Sequence, residues 1–228
     1  MWDVSSSNRV DYFLANSRHV ATRIWKYYRR EATVIHPPVD TELYRPGKKE
    51  GSYYLIVSAM VPYKRLDLAI ETFNRLGKPL FVIGEGPEKK RLQDMAKANI
   101  RFLDWLPAEE LVKYYSACKA LVFPGEEDFG IVPVEAQSCG KPVIAYGKGG
   151  ALETIIGYNG KNELKCSGVF FNSQTVEDMI AAIKKLETLS WDTGFIHQHS
   201  QKFSKKRFTR EIKDFLEEKA REFFSTRG

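Results

Sequence analysis

The sequence predicts a doubly wound α/β domain, a parallel sheet with helices packed on both faces, and three observations carry that prediction. Six short β-rich runs alternate with helical patterns through the middle of the chain. The runs are continuously apolar rather than alternating, as expected of strands covered on both sides by crossover helices. The stretches between them repeat apolar residues at three- and four-residue spacing, the period of an amphipathic helix. Right-handed crossovers between six such strands give a Rossmann-like sheet.

Taken in order, YFLANS (12–17) reads as a strand, the basic stretch 18–30 as a helix, and ATVIHPPVD (32–40) as a strand closed by Pro37-Pro38. YYLIVS (53–58) opens the main sheet, followed by the helix LDLAIETFNRL (66–76). PLFVIG (79–84), KKRLQDMAKA (89–98), IRFL (100–103) and AEELVKYYSAC (108–118) continue the alternation. ALVF (120–123) precedes the helix IVPVEAQSC (131–139), which Gly140 and Lys141-Pro142 end. PVIAY (142–146) and GVFF (168–171) are the last two strands. An amphipathic helix follows over 175–189, a loop over 191–200, and a last helix over 204–224 with Phe208, Ile212, Phe215, Leu216 and Phe223 along one side.

Composition narrows the class of protein. With 228 residues, 43% hydrophobic and 28% charged, the chain can bury a core and is neither disordered nor fibrous. The best apolar stretch is interrupted by Pro133, Gln137 and Lys141, so a membrane-spanning helix is not expected. The opening residues lack the layout of a signal peptide. Cys118, Cys139 and Cys166 lie far apart, without metal-ligand spacing, and read as free thiols in a reducing compartment. Together these features lead us to expect a cytoplasmic protein.

The net charge of +6 sits at the ends. Arg18, Arg23, Lys26, Arg29 and Arg30 follow one another with no acid between, and from Gln201 onward nine Lys/Arg face five Asp/Glu. Such ends fit either an anionic neighbour or a solvated helix face. No nucleic-acid-binding pattern accompanies them, so nucleic acid is not expected as a partner.

Ligands of open parallel sheets bind outside the carboxyl ends of the strands, so candidate residues are those that follow each run. Lys64 and Arg65 follow the first, Gly84 and Gly86 the second, Asp104-Trp105 the third. The Gly84/Gly86 turn lacks the third glycine of a dinucleotide fingerprint. After the fourth run, Glu126, Glu127 and Asp128 stand together between Gly125 and Gly130, and a helix carrying Glu135 follows. Glu135 alone is equally well explained by the helix macrodipole. Three adjacent acids repel one another, which points instead to sugar or ribose hydroxyls that donate hydrogen bonds to them. The N–H groups of Phe129, Gly130 and Ile131 open the helix and favour an anion. Gly147, Gly149 and Gly150 follow the fifth run, with Glu153 beyond. Base, acids, glycine turns and helix N-termini meeting at one sheet edge suit a phosphorylated, hydroxyl-rich ligand, a nucleotide sugar.

These segments are also familiar as a set. EDFGIVPVEAQSCGKPVIAYGKGGALE (127–153) resembles the signature of retaining glycosyltransferases of family four, which have the GT-B fold, with Glu127 and Glu135 matching its two glutamates separated by seven residues. VPYKRLDLAIETFNRL (61–76), IGEGPEKKRL (83–92), NSRHVATRI and VIHPPVD resemble other segments of the same family. Within the family, the chain looks similar to mannosyltransferase-like members that build surface polysaccharides. The resemblance implies that Lys64 neutralises the donor diphosphate, Glu135 binds the ribose, and Glu127 holds the transferred sugar with help from the backbone of Phe129 and Gly130. It puts Gly149 and Gly150 under the phosphates and Trp105-Leu106 near the base. It implies no metal and no cofactor beyond the donor, perhaps GDP-mannose. Where many members carry an arginine before the lysine, this chain has Ser58-Ala59-Met60, leaving Arg65 as the substitute or the phosphate site less basic.

GT-B enzymes have two Rossmann-like domains. Here 1–46 corresponds to the end of the acceptor domain and a linker, 47–200 to the nucleotide-sugar domain, and 201–228 to a helix that packs back on the acceptor domain. The implied partners are a nucleotide sugar, an acceptor sugar or lipid-linked glycan, a separate acceptor domain, and the inner face of a membrane. A non-catalytic nucleotide-sugar module, a split enzyme and an epimerase are the alternatives. His197-x-His199 could pair on a metal, and the acidic loop could hold Mg²⁺, but surface histidines and sugar hydroxyls account for them as well. His36 beside Pro37 reads as structural.

Overall fold

The computed structural model describes residues 2–47 and 51–225. Helix α1 (Trp2–Ser7) precedes a small parallel pair, β1 (Leu14–Ala15) and β2 (Thr33–Val34), joined by helix α2 (Arg18–Tyr28). The main sheet holds β3 (Tyr54–Val57), β4 (Leu80–Ile83), β5 (Ile100–Leu103), β6 (Ala120–Phe123), β7 (Val143–Tyr146) and β8 (Gly168–Phe171). Its order is β5-β4-β3-β6-β7-β8, every pair parallel. The connecting helices are α3 (Leu66–Leu76), α4 (Lys89–Met95), α5 (Ala108–Ala117), α6 (Ile131–Ser138) and the single turn α7 (Ala151–Thr154). Helices α8 (Val176–Thr188), α9 (Thr193–Ser200) and α10 (Lys205–Ser225) complete the chain. The expected boundary at 46/47 abuts residues 48–50, which lie outside the described residues, as do Met1 and 226–228.

The apolar continuity of the strands has its cause in two core layers. Along β3, Tyr54 and Ile56 pack with Phe73 of α3, Leu92 of α4 and Ile183 of α8, whereas Leu55 packs on the opposite face with Tyr115 of α5 and Val134 of α6. Apart from edge strand β5, where Arg101 is exposed, the strands bury both faces, so no polar alternation is needed. The chain runs outward from β3 to β5, then returns beside β3 with β6. The reversal leaves a crevice where the loops after β3 and β6 diverge.

Three expectations are corrected. The segment 191–200, read as a loop, forms α9, capped by Asp192, whose side chain accepts the Phe195 N–H at 2.9 Å. Its polar letters and Gly194 masked a helix whose Ile196, His199 and Ser200 are buried. His197 and His199 are therefore not surface groups. They meet the carbonyl oxygens of Ser138 and Thr154 at 2.6 and 3.1 Å, tying α9 to the ends of α6 and α7. The strand read over 32–40 is only Thr33–Val34, with Val39 making an isolated bridge to Ser204, because Pro37 and Pro38 cannot donate to a ladder.

The last helix packs on the front of the chain. Phe215 meets Tyr12 edge-on at 6.5 Å, Lys205 pairs with Asp40, and an Arg207 N–H donates to the Pro37 carbonyl at 3.3 Å. Leu216 and Phe224 of α10 stay exposed. Among the described residues, no helix is long and apolar enough to cross a membrane.

Candidate donor-binding site

A cleft of about 390 Å³ opens at the sheet reversal, between Ser58-Ala59 after β3 and the segment Glu127–Val132 after β6. A cavity of about 450 Å³ at the opposite end of the sheet, beside Cys118, Lys141 and Trp191, is larger. It borders none of the expected site residues, and in folds of this kind ligands bind at the carboxyl ends of the strands.

Lys64 ends a short 3₁₀ turn, Pro62–Lys64, that leads from β3 toward α3. Its ammonium contacts Oε1 of Glu127, and each side chain is only 18% exposed. Burial disfavours the Lys64 charge and lowers its pKa, and the Glu127 carboxylate is the counter-charge at hand. Helix α6 begins beside this pair. Gly130 takes a left-handed conformation before it (φ 90°), and no side chain caps its first N–H groups. The cleft thus has a cation, a carboxylate and an uncapped helix N-terminus along one wall.

The acidic loop is not a cluster of unanswered charges, as its sequence alone implies. Glu126 lies 3.9 Å from the His19 ring, Asp128 meets Arg23 at 2.5 Å, and Glu127 takes Lys64. Two of these three bases come from α2, far away in sequence. The basic face of that helix is thereby partly committed to the loop.

Gly149 and Gly150 buttress the loop from behind. The Gly150 N–H donates to the Glu127 carbonyl at 2.7 Å, and a Cβ on Gly149 would lie 2.4 Å from the same oxygen. Gly84 and Gly86 do the same for the opposite wall, against the carbonyls of Ser58 and Met60. These four glycines are spent on contacts within the chain and stand behind the cleft surface. Arg65 turns to Asp67 and to Gln174, both at 3.2 Å, away from the cleft lining. Trp105 is 70% exposed, at the end of edge strand β5, and Leu106 packs against the core. Phe129, Gly130 and Ile131 border the cleft, the buried Phe129 ring stacked on His36 at 5.4 Å.

Glu135 sits one turn beyond Ile131 on α6. The Tyr115 hydroxyl donates to its Oε2 at 2.7 Å, and the Tyr44 phenol lies against the same carboxylate. Burial pushes its pKa above the usual carboxylate range, and the two phenols oppose that shift.

Several residues of this neighbourhood carried no role in the sequence reading. Asn16 and Pro37 close the cleft from the front segment. Glu153 accepts the N–H groups of Arg18 and His19 at 2.9 and 3.0 Å and meets His36 Nε2 at 3.0 Å. With Ser17 accepting from Val20, the first turn of α2 is fully capped, so this helix end offers no anion site. Burial alone would raise the Glu153 pKa, but these donors together hold it below the ordinary value. Replacing it, Glu153→Gln, is expected to cost about 2 kcal/mol at pH 7. A group depressed in the fold stabilises above its unfolded pKa and loses that contribution as pH falls through the folded one. The gap between wild type and variant in urea melts should therefore shrink below pH 4. A gap that stays constant down to pH 3 would remove this role from Glu153.

Among the described residues, no three His, Cys, Asp or Glu side chains are grouped to hold a metal. Fold and cleft together define a Rossmann-like domain with an anion-ready crevice at its point of strand reversal. Comparison with known proteins carries this further. The family model described as glycosyl transferases group 1 matches residues 44–210, and the chain belongs to that family. It is 31% identical to an uncharacterized glycosyltransferase of Methanocaldococcus jannaschii over 68% of this chain and 46% of the relative. It is 28% identical to the GDP-mannose-dependent alpha-(1-6)-phosphatidylinositol monomannoside mannosyltransferase of Mycolicibacterium smegmatis, over 76% of this chain and 54% of that one. The chain thus spans about half the length of these relatives. Among solved structures, Anabaena HepE in complex with UDP superposes with a TM-score of 0.80 at 21% identity, covering 94% of this chain and 66% of that one. Sucrose-phosphate synthase from Thermosynechococcus elongatus gives 0.77 at 19%, covering 95% and 59%. These likenesses confirm the GT-B type of fold.

Proposed function

We propose that this chain supplies the donor half of a retaining glycosyltransferase that moves a sugar from a nucleotide-diphosphate sugar to an alcohol. The observation that carries the reading is the Lys64–Glu127 pair beside the uncapped start of α6. A diphosphate entering the cleft takes Lys64 from Glu127, which frees the carboxylate to accept hydrogen bonds from the sugar hydroxyls. When the anomeric C–O bond breaks, its electron pair stays on the diphosphate. Lys64 and the α6 N–H groups then meet the growing charge in place, with no metal required. Glu135 on the same helix serves the ribose hydroxyls.

GDP-mannose is the first donor to test, since the mycobacterial relative is named for it. A sugar or lipid-linked glycan is the acceptor in this reading, and polypeptide beyond these 228 residues binds it. The short parallel pair β1–β2 leaves Val10, Tyr12 and Leu14 exposed, a surface such polypeptide would cover. Trp25 and Tyr27, exposed on α2 between Arg18, Lys26 and Arg29, suit the inner face of an anionic membrane.

Calorimetry against GDP, UDP, ADP and their sugars tests the site. At least one should bind, and Glu135→Ala should weaken the whole nucleotide by roughly tenfold. Silence from every nucleotide at millimolar concentration would dismiss the donor site.

A further inference from the structure

Glu135 belongs to the second turn of α6, on the side that carries Ile131 at the cleft. Residues four apart share a helix face, so Glu135 lies one turn behind Ile131 without itself lining the cleft. Two tyrosines from separate parts of the chain hold it. Tyr115, fully buried on α5, donates to Oε2 at 2.7 Å. Tyr44, 5% exposed in the segment before β3, lies against the same carboxylate and helps to favour its charged form. The two rings pack edge-on, centroids 5.5 Å apart at 87°, so each phenol fixes the other. Phenylalanine would fill either space without a polar atom to satisfy, so packing alone does not require these hydroxyls.

We propose that Tyr115 and Tyr44 are positioning residues that fix the Glu135 carboxylate for the hydroxyls of a ribose, setting the preference of this site for ribonucleotides. The inference rests on the reading of Glu135 given above. A lone glutamate on α6 has several rotamers, and burial favours its neutral form. An O–H on a neutral acid competes with the ribose hydroxyls it should accept. The two phenols select one rotamer and favour the ionised state, in which the remaining lone pairs are acceptors only. Cys139, just after α6, also lies near this group, with its thiol pushed up to about 12 by burial, so it brings no competing charge near neutral pH.

The test compares GDP with 2′,3′-dideoxy-GDP by calorimetry, and UDP with its dideoxy form in parallel, for wild type, Tyr115→Phe, Tyr44→Phe and Glu135→Gln. Wild type should prefer the ribonucleotide by about tenfold or more, the worth of a hydrogen bond to an ionised group. In Tyr115→Phe, and more so in the double Phe variant, that ratio should collapse toward one while dideoxy affinity stays unchanged. A merely structural loss would weaken both ligands alike. If Glu135→Gln keeps the wild-type ratio, the ribose reading fails and the proposal with it. If Glu135→Gln loses the ratio but the Phe variants keep it, the positioning role alone is overturned. Carboxyl ¹³C titration of Glu135 without nucleotide gives an independent readout. Its midpoint should rise in Tyr115→Phe, and an unchanged midpoint would also overturn the proposal.

Discussion

Lys64→Met is expected to lower the unfolding free energy by about 3 kcal/mol and to remove most of the affinity for a nucleoside diphosphate. Lys64 and Glu127 contact each other with 18% of each side chain exposed. Removing one member of such a pair strands the other charge, at a cost of about 3–5 kcal/mol in a dry interior, and the residual solvent here argues for the lower end. Glu127→Gln should have the opposite effect on diphosphate binding. It keeps the shape and a hydrogen-bond acceptor, and it removes the anion that competes with phosphate for Lys64. Free diphosphate should then bind as well as or better than in wild type, while the extra affinity due to the sugar is lost. The double variant Lys64→Met/Glu127→Gln should be more stable than Lys64→Met alone, because no charge is stranded. Urea melts and calorimetry at pH 7 report both quantities. Equal stability of Lys64→Met and wild type would sink the pairing argument. Equal loss of diphosphate binding in both single variants would sink the exchange of partners.

Gly150→Ala should be at least as damaging, although the substitution is normally mild. Gly150 has ordinary helical angles, φ −65° and ψ −18°, so alanine fits the backbone and would usually add up to about 1 kcal/mol of stability. Here its Cβ would lie 2.2 Å from Phe129 Cα, 2.5 Å from the Phe129 carbonyl oxygen and 2.6 Å from that of Asp128. All three are backbone atoms, which cannot rotate away. The loop carrying Glu127 must shift, at about 3 kcal/mol by comparison with overpacked cores, and its contact with Lys64 goes with it. Gly160→Ala is the control. A Cβ there meets nothing within 4 Å, and only the positive φ of 91° is strained, about 1 kcal/mol. Thermal melts that place Gly150→Ala level with Gly160→Ala would show that the loop yields easily. Nucleotide binding should also fall in Gly150→Ala and hold in Gly160→Ala.

Strands, crossover helices and the parallel sheet were legible in the sequence because their causes are local. The run ALVF is apolar throughout since both its faces are buried, and LDLAIETFNRL carries its 3.6-residue period wherever it packs. The glutamates at 127 and 135, Lys64 and the glycine turns were legible as residue types that follow strands. A parallel sheet gathers those positions at one edge whatever the details.

Which of these side chains meet, and what each glycine is for, only the tertiary structure decided. Glu127 and Lys64, Asp128 and Arg23, and Glu153 and the start of α2 are brought together across long stretches of chain. A run of three acids looks repulsive in one dimension, because the partners that meet it belong to distant parts of the chain, two of them to α2. Gly149 and Gly150 were expected to let phosphates approach, and the structure shows that their missing side chains make room for the backbone of residues 127–129. Tyr44 and Tyr115 looked like any core aromatics until the fold set them against Glu135. Helix α9 was hidden for a related reason, its polar histidines being satisfied by carbonyls of α6 and α7 that only folding supplies. Periodicity is written along the chain, whereas the pairing of charges and the close approach of backbones depend on distances that exist only after the crossovers have closed.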